Sequence, residues 1–228
     1  MHNLVLFDID GTLVLTGGAG VRALARAVEA ITGHTDPLDA VPVAGRTDWI
    51  ILKDAMARAG IELDDDLFAR VRQQYVDFLR EEVQAPGVGK KGVMPGIREL
   101  LDRLQPRPDV WLGLVTGNVA DGARLKLEYF DLWRYFRCGA FGDDAADRNV
   151  LVPVAVERAR QEGMPPLPPD RIFVVGDTPH DIACARAVGA VPVGVATGSY
   201  TVGDLRDCGA DIVFPDLSDA TAFCALLE

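Results

Sequence analysis

The sequence lacks a long apolar segment and an excess of basic residues. No stretch approaches the ~20 apolar residues that cross a membrane, and the N-terminus MHNLVLFDID has no basic region typical of a secretion signal. The 23 Lys and Arg residues are outnumbered by 34 Asp and Glu residues, which gives a net charge of −11. A protein this acidic is unsuited to bind nucleic acid without a basic patch. We therefore expect neither a membrane nor a nucleic-acid partner.

Cysteine is also scarce and is not arranged in pairs. None of the cysteines shows the CxxC spacing of a zinc or redox site, so reduced thiols are favoured over disulfides: Cys138, Cys184, Cys208 and Cys224. The sequence contains no GxxxxGK[ST], and Gly17, Gly18 and Gly20 ahead of a helical pattern do not fit GxGxxG, so they are interpreted as a hinge rather than a nucleotide-binding loop. We expect a cytoplasmic protein, and the sequence leaves its oligomeric state open.

Short apolar runs of strand type alternate with helical patterns along most of the chain. Such alternation is typical of an α/β fold with a doubly wound parallel (Rossmann-like) sheet. The apolar runs lie at 4–9, 110–116, 172–176, 191–196 and 211–214, with a weaker candidate at 136–141. Helical patterns lie at 96–104, 119–129, 150–161, 179–188 and 218–227.

Residues 16–89 interrupt this alternation. They carry helical periodicity at 21–31, 49–59 and 64–83 and no clear strand, and glycine-rich stretches flank them, TGGAG at 16–20 and PGVGKKG at 86–92. Glycine-rich joints at both ends of a helical interval are typical of hinges. The sequence therefore predicts an α/β core formed by residues 1–15 and 90–228, with an α-helical domain inserted at 16–89 above the end of the first strand.

Four aspartates follow two of the apolar runs. Asp8 and Asp10 end LVLFDIDGTL, and Asp177 and Asp181 lie in VVGDTPHD. Ligands of open α/β sheets bind beyond the carboxyl ends of the strands, so neighbouring strands would bring these carboxylates together. Like charges at close range need a cation, and an oxygen-only ligand set suits Mg²⁺. The four aspartates are our candidate metal ligands.

Asp8 and Asp10 can also perform covalent and proton-transfer chemistry. If the chain turns at Gly11, both side chains can face the same cleft. One carboxylate can attack a phosphoryl group to form an aspartyl-phosphate, and the other can protonate the leaving oxygen and then activate water. A solvated DxDG turn is the alternative, but such a turn does not account for the second pair of aspartates.

At these motifs the chain resembles the haloacid dehalogenase superfamily in its phosphatase form, in particular the phosphoglycolate phosphatase-like branch with a helical cap. FDIDGTL resembles the first motif, LVTGN at 114–118 the second and VVGDTPHD the fourth. The resemblance implies that Asp8 is the nucleophile, that Asp10 is the general acid/base and offers its carbonyl to Mg²⁺, and that Thr116 binds the phosphoryl group. It also implies Gly117 and Asn118 as substrate-binding residues, Asp177 as a metal ligand, and Asp181 as a ligand or a supporting acid.

The third motif departs from the family pattern, in which a Lys or Arg neutralises nucleophile and phosphate. Arg148, ahead of a helical pattern, stands at about the expected distance before Asp177, and Lys126 in ARLKLEYF is its rival. We favour Arg148, because a guanidinium binds phosphate oxygens bidentately. Arg46 in AGRTDWI is placed at the opening of a helix of the insertion, where relatives often contact substrate.

The predicted function is a Mg²⁺-dependent phosphatase that hydrolyses a small phosphorylated metabolite through an aspartyl-phosphate. A phosphosugar mutase on the same core is an alternative that the motifs do not exclude. A phospho-accepting signalling domain is a second alternative, although such domains lack both a DxD nucleophile motif and an insertion after the first strand. The sequence does not identify the physiological substrate.

Overall fold

A six-stranded parallel sheet lies at the centre of the protein, of which the computed structural model describes all 228 residues. Its strands are β1 (Asn3–Phe7), β4 (Val110–Val115), β5 (Cys138–Ala140), β6 (Ile172–Gly176), β7 (Val191–Val195) and β8 (Ile212–Phe214). Their order across the sheet is β5-β4-β1-β6-β7-β8, and every neighbouring pair is parallel. The predicted doubly wound α/β fold is confirmed.

Successive side chains of each strand point to opposite faces of the sheet, so a continuous apolar strand makes both faces apolar. Helices cover both of these faces. Val5 and Phe7 of β1 belong to one apolar cluster with α4 (Ile97–Leu104), α5 (Ala120–Tyr129) and α9 (Ala220–Ala225). Leu4 and Leu6 belong to another with α6 (Leu151–Gln161) and α7 (Pro179–Ala187). The short helix α8 (Val202–Asp207), which the sequence pattern missed, packs Leu205 against Ile182.

Residues 16–89, here called the 16–89 segment, contain α1 (Ala19–Thr32), α2 (Asp48–Arg58) and α3 (Asp65–Glu82). Thr47 and Asp64 accept backbone N–H groups in the first turns of α2 and α3 and so fix where these helices begin. A separate apolar cluster of 17 buried residues lies in this segment, and Val119 is its only member from outside residues 16–89. The division of the chain into domains stays a prediction.

A short antiparallel ribbon lies at the base of the 16–89 segment. Its strands are β2 (Val14–Thr16) and β3 (Lys91–Val93). One strand lies at each predicted glycine-rich joint, and the two pair with each other. The sequence pattern missed them, because three residues are too few to display an alternating pattern. The other predicted elements are present, with ends that differ from the prediction by at most two residues, and the 136–141 candidate contracts to the three residues of β5. None of the helices has the length and apolarity needed to span a membrane.

Candidate active site

The adjacency of β1 and β6 brings the two aspartate motifs together at the carboxyl edge of the sheet. The backbone N–H of Asp8 donates to the carbonyl of Val175 at 2.9 Å, which fixes Asp8 directly beside the end of β6. Carboxylate oxygens of Asp8, Asp177 and Asp181 lie within 4.8 Å of one another, and all three residues are buried. The convergence predicted from the sequence is therefore present for these three aspartates.

Burial and mutual repulsion shift the ionisation of this cluster. Burial raises the pKa of Asp8 to about 6; Arg148 opposes the shift, and the charges of Asp181 and Asp10 add to it. Burial, followed by the charges of Asp8 and Asp181, raises the pKa of Asp177 to about 8. Without a bound cation, these carboxylates tend to take up protons. A set of oxygen ligands with this much negative charge suits a hard divalent cation. The residues present therefore fit the predicted Mg²⁺.

Glycines leave room for the Asp177 carboxylate on two sides. A Cβ atom at Gly11 would lie 2.5 Å from Asp177 Oδ2, and one at Gly198 would lie 1.8 Å from the same atom. Gly11 also has a φ of +86°, which turns the chain directly after Asp10. The Thr12 hydroxyl donates to Asp177 Oδ1 at 3.2 Å. Asp177 is thus oriented by one donor, and its second oxygen lies against Gly11 and Gly198, where a larger residue would not fit.

Asp181 is already occupied by protein donors. Its Oδ2 accepts from the backbone N–H of Thr178 at 3.0 Å and from the Thr178 hydroxyl at 2.7 Å, which caps the start of α7. Its Oδ1 accepts from Arg148. Since both oxygens are bonded, Asp181 is better placed to orient its neighbours than to bind a metal directly.

Arg148 lies between the two aspartate motifs. Its Nη2 is 3.0 Å from Asp8 Oδ1 and is also paired with Asp181, while its Nη1 donates to the carbonyl of Gly45 at 3.0 Å. Burial lowers the pKa of Arg148, but the charges of Asp181 and Asp8 outweigh this and raise it above its usual value. The residue favoured for the third motif is therefore a permanent cation in contact with the nucleophile candidate.

Asp10 lies in a second, separate network. Its Oδ2 accepts from Lys126 Nζ at 2.6 Å and from the Asn118 side-chain amide at 2.8 Å. Asn118 Oδ1 accepts from Lys126 at 2.6 Å, and its amide donates to the Thr116 hydroxyl at 2.9 Å. Lys126 thus contacts Asp10 rather than Asp8, so the two rival cations serve different aspartates.

The 16–89 segment is docked against the loop that carries the second motif. A Cβ at Gly117 would lie 2.1 Å from the Arg46 carbonyl, so this contact requires glycine. The backbone N–H of Asp48 donates to the Gly117 carbonyl at 2.8 Å, and its carboxylate accepts from the N–H of Val119 at 2.9 Å. Arg46 lies two residues before α2 rather than within it, and its guanidinium is bonded to Asp54 at 2.7 Å.

A cleft with about 1000 Å³ of space, part of it open to solvent, joins these groups. All the predicted site residues line it except Asp181, which is fully buried behind it. The sequence analysis missed Asp48 and Tyr75, which line the cleft, and Thr12 and Thr178, which orient Asp177 and Asp181. The two threonines follow the aspartates inside the motifs, so their position was a usable signal. Nothing in the sequence marked Asp48 or Tyr75.

A parallel sheet with a carboxylate cluster beyond two adjacent strands defines an α/β protein with a candidate site at the carboxyl edge of the sheet. The model of the haloacid dehalogenase-like hydrolase family matches residues 5–186, and the chain belongs to this family. Relatives of the chain carry phosphatase names, so the prediction of a phosphoric monoester hydrolase of this family is confirmed.

Similar proteins extend over nearly the whole chain. The "Probable phosphatase IndB" of Dickeya dadantii is 28% identical and covers 100% of this chain and 96% of its own. The "Phosphoglycolate phosphatase" of Rhodospirillum rubrum is 31% identical and covers 96% of this chain and 89% of its own. A solved structure, a "putative beta-phosphoglucomutase" from Thermotoga maritima, superposes with a TM-score of 0.63 at 21% identity over all of both chains and shows the shared fold.

Proposed function

We propose that this enzyme is a Mg²⁺-dependent phosphatase that hydrolyses a small phosphomonoester by way of an aspartyl-phosphate on Asp8. The observation that carries the proposal is the state of Asp8, which is buried, 3.0 Å from Arg148 and part of the three-carboxylate cluster. A carboxylate removed from water and held beside a cation is oriented for attack on a phosphoryl group.

The reaction divides into two displacements. In the first, an oxygen of Asp8 bonds to phosphorus while the bond from phosphorus to the alcohol oxygen breaks, and Asp10 gives that oxygen its proton. In the second, water attacks the aspartyl-phosphate, gives a proton to Asp10 and releases Asp8 and inorganic phosphate. Proton transfer by a positioned carboxyl group contributes ~10²–10⁴-fold to such steps.

The charge on the transferring group is met by groups of the core. Arg148 contacts Asp8 and is placed to bind a phosphoryl oxygen, and Thr116 can donate its own proton because its oxygen accepts from Asn118. Asp8, Asp177 and the carbonyl of Asp10 are our proposed Mg²⁺ ligands, with Asp181 in support. Bound Mg²⁺ would supply positive charge that offsets the charge of the phosphoryl oxygens.

Lys126 and Asn118 hold the acid/base. Both donate to the same oxygen of Asp10, which leaves its other oxygen free for the leaving group and for water. Lys126 is itself buried, so it is a fixed rather than a mobile cation. We propose that it positions Asp10, while Arg148 performs the third-motif role.

The relatives' names suggest phosphoglycolate as one substrate to test within a panel of phosphorylated metabolites. A phosphosugar mutase is the second possibility and would return the phosphoryl group to another hydroxyl of the sugar. Analysis of the products formed from β-glucose 1-phosphate separates the two, since a phosphatase releases inorganic phosphate and a mutase yields glucose 6-phosphate.

Replacement of Asp8 tests the covalent mechanism. Asp8→Asn keeps the shape of the side chain but is a very poor nucleophile, so turnover of every phosphomonoester should fall below detection while the fold is retained. The measurements are phosphate release, circular dichroism, and mass spectrometry of acid-quenched wild-type enzyme for an adduct on Asp8. Substantial turnover by folded Asp8→Asn would rule out the covalent mechanism.

A further inference from the structure

The cleft has two different walls. The core wall carries the charged groups that act on the phosphoryl group, whereas the wall from the 16–89 segment is largely apolar. Leu24 and Ile51 line that wall and are only 3% and 4% exposed, and Val21 and Val43 lie beside them. Because the phosphoryl group must lie at Asp8, the alcohol part of the substrate lies toward this apolar wall.

Every cation of the cleft is already paired with a carboxylate of the protein. Arg148 is bonded to Asp8 and Asp181, and Lys126 is bonded to Asp10 and Asn118. Arg46 is the remaining cation that lines the cleft.

Arg46 is bonded within the 16–89 segment. Its Nη2 donates to Asp54 at 2.7 Å, and its Nη1 donates to the carbonyl of Pro42 at 3.0 Å. Its charge is therefore already offset within the 16–89 segment by the Asp54 carboxylate.

The same wall also carries a negative charge. Asp48 is 8% exposed, lines the cleft and is held by the N–H of Val119. A substrate carboxylate placed here would meet Asp48 and Asp10 and would lose its hydration without gaining a partner, which is costly for a buried charge. The wall therefore disfavours an anionic alcohol.

One polar group of this wall is available. Tyr75 of α3 is 2% exposed, lines the cleft, and its hydroxyl has no hydrogen-bond partner within the protein. The hydroxyl lies between Gly20 and Gly122, where an added Cβ would be 3.8 Å and 3.2 Å from it. Burial and the charges of Asp48 and Asp10 raise the pKa of Tyr75 well above its usual value, so the group stays protonated and can donate. A hydroxyl that lines the cleft and has no partner within the protein is available to bond to a ligand.

From these observations we infer that the preferred substrate is the phosphate monoester of an uncharged alcohol, with an apolar carbon skeleton and one further hydroxyl that bonds to Tyr75. The inference rests on the proposed phosphatase function. It departs from the substrate named for the curated relatives, because 2-phosphoglycolate carries a carboxylate where this cleft offers apolar side chains and Tyr75.

A pair of isosteric esters tests this assignment. In 2-hydroxypropyl phosphate, a hydroxyl and a methyl group replace the two carboxylate oxygens of 2-phosphoglycolate at nearly the same size. With wild-type enzyme and Mg²⁺, kcat/KM should be about ten-fold or more higher for 2-hydroxypropyl phosphate. A preference for 2-phosphoglycolate would overturn the inference and leave the phosphatase function standing. If the enzyme hydrolysed none of the three substrates, the two esters and p-nitrophenyl phosphate, the result would instead count against the proposed function.

Two variants locate the cause of the preference. Asp54→Asn removes the charge that offsets the Arg46 guanidinium, so kcat/KM for 2-phosphoglycolate should rise by about two- to five-fold while that for p-nitrophenyl phosphate stays unchanged. Tyr75→Phe should lower kcat/KM for 2-hydroxypropyl phosphate but not for 2-methylpropyl phosphate, in which a methyl group replaces the hydroxyl. Equal effects of Tyr75→Phe on these two esters, or an unchanged 2-phosphoglycolate rate in Asp54→Asn, would overturn the inference.

Discussion

Asp8 and Asp10 are two residues apart, and each is paired with a cation, yet their surroundings differ. The side chains of Asp8 and Arg148 are 5% and 7% exposed and lie among further carboxylates. The side chain of Asp10 is 43% exposed, although its partner Lys126 is only 4% exposed. The difference matches the two proposed roles, because a nucleophile gains from desolvation, whereas an acid/base must reach both the leaving oxygen and water.

Removal of the metal, which we propose is bound beside Asp8, should have the largest effect on activity. Activity should vanish with EDTA and return with Mg²⁺, whereas Ca²⁺ should support it poorly because it takes more ligands at longer distances. Phosphate release from p-nitrophenyl phosphate in buffers with controlled metal content measures this. Full activity in metal-free buffer would contradict the metal site.

Thermal unfolding tests the proposed metal site without measuring activity. The folded-state pKa of Asp177 is about 8 and that of Asp8 about 6, both above the usual 3.8. Folding then favours the protonated forms, so the metal-free protein should lose stability as pH rises from about 4 to 8. Mg²⁺ should therefore raise Tm more at pH 8 than at pH 5, and Asp177→Asn should remove most of this difference. An equal Mg²⁺ shift in wild type and Asp177→Asn would exclude Asp177 as a ligand.

Arg148→Met should produce the next largest loss. A preorganised donor to developing charge contributes ~10²–10³-fold to kcat, and Arg148 contacts the nucleophile itself. Arg148→Lys keeps the charge and should recover part of the rate, which separates catalysis from folding. Arg158→Met is the matched control, since Arg158 is paired with Asp144 away from the cluster. If Lys126→Met reduced kcat for an activated aryl phosphate more than Arg148→Met does, the two roles would be reversed.

The sequence was sufficient for the six-stranded sheet and for three of the four converging aspartates, because strand ends and motif positions are local features. Asp8 and Asp177 meet as expected once β1 and β6 are neighbours. The partner of Lys126 was not predictable, since Asp10 is 116 positions away and the contact depends on how α5 packs beside β1. Tyr75 was not marked either, because its spacing in α3 is that of an ordinary core residue.

Lys126→Met tests the Asp10 side and should have a smaller, substrate-dependent effect. A displaced Asp10 protonates the leaving oxygen less well. This matters for an alkyl alcohol but little for p-nitrophenolate, which leaves readily without being protonated. We expect kcat/KM to fall about ten-fold more for alkyl phosphates than for p-nitrophenyl phosphate, with partial rescue in Lys126→Arg. Lys53→Met, an exposed site in α2, is the control. Equal losses on both substrates would mean that Lys126 does not act through Asp10.

The smallest effect should come from Arg46. Its guanidinium is bonded to Asp54 and to the Pro42 carbonyl, so we propose that it contacts the substrate only through its methylene stem. Arg46→Ala should lower kcat/KM for the preferred alkyl phosphate by about two- to five-fold, as expected for lost apolar contact, and should change p-nitrophenyl phosphate hydrolysis less. Parallel kinetics on the two substrates check this, since the phosphoryl group is common to both and only the alcohol differs. Equal losses on both would place Arg46 at the phosphoryl group, and no loss on either would remove it from the substrate site.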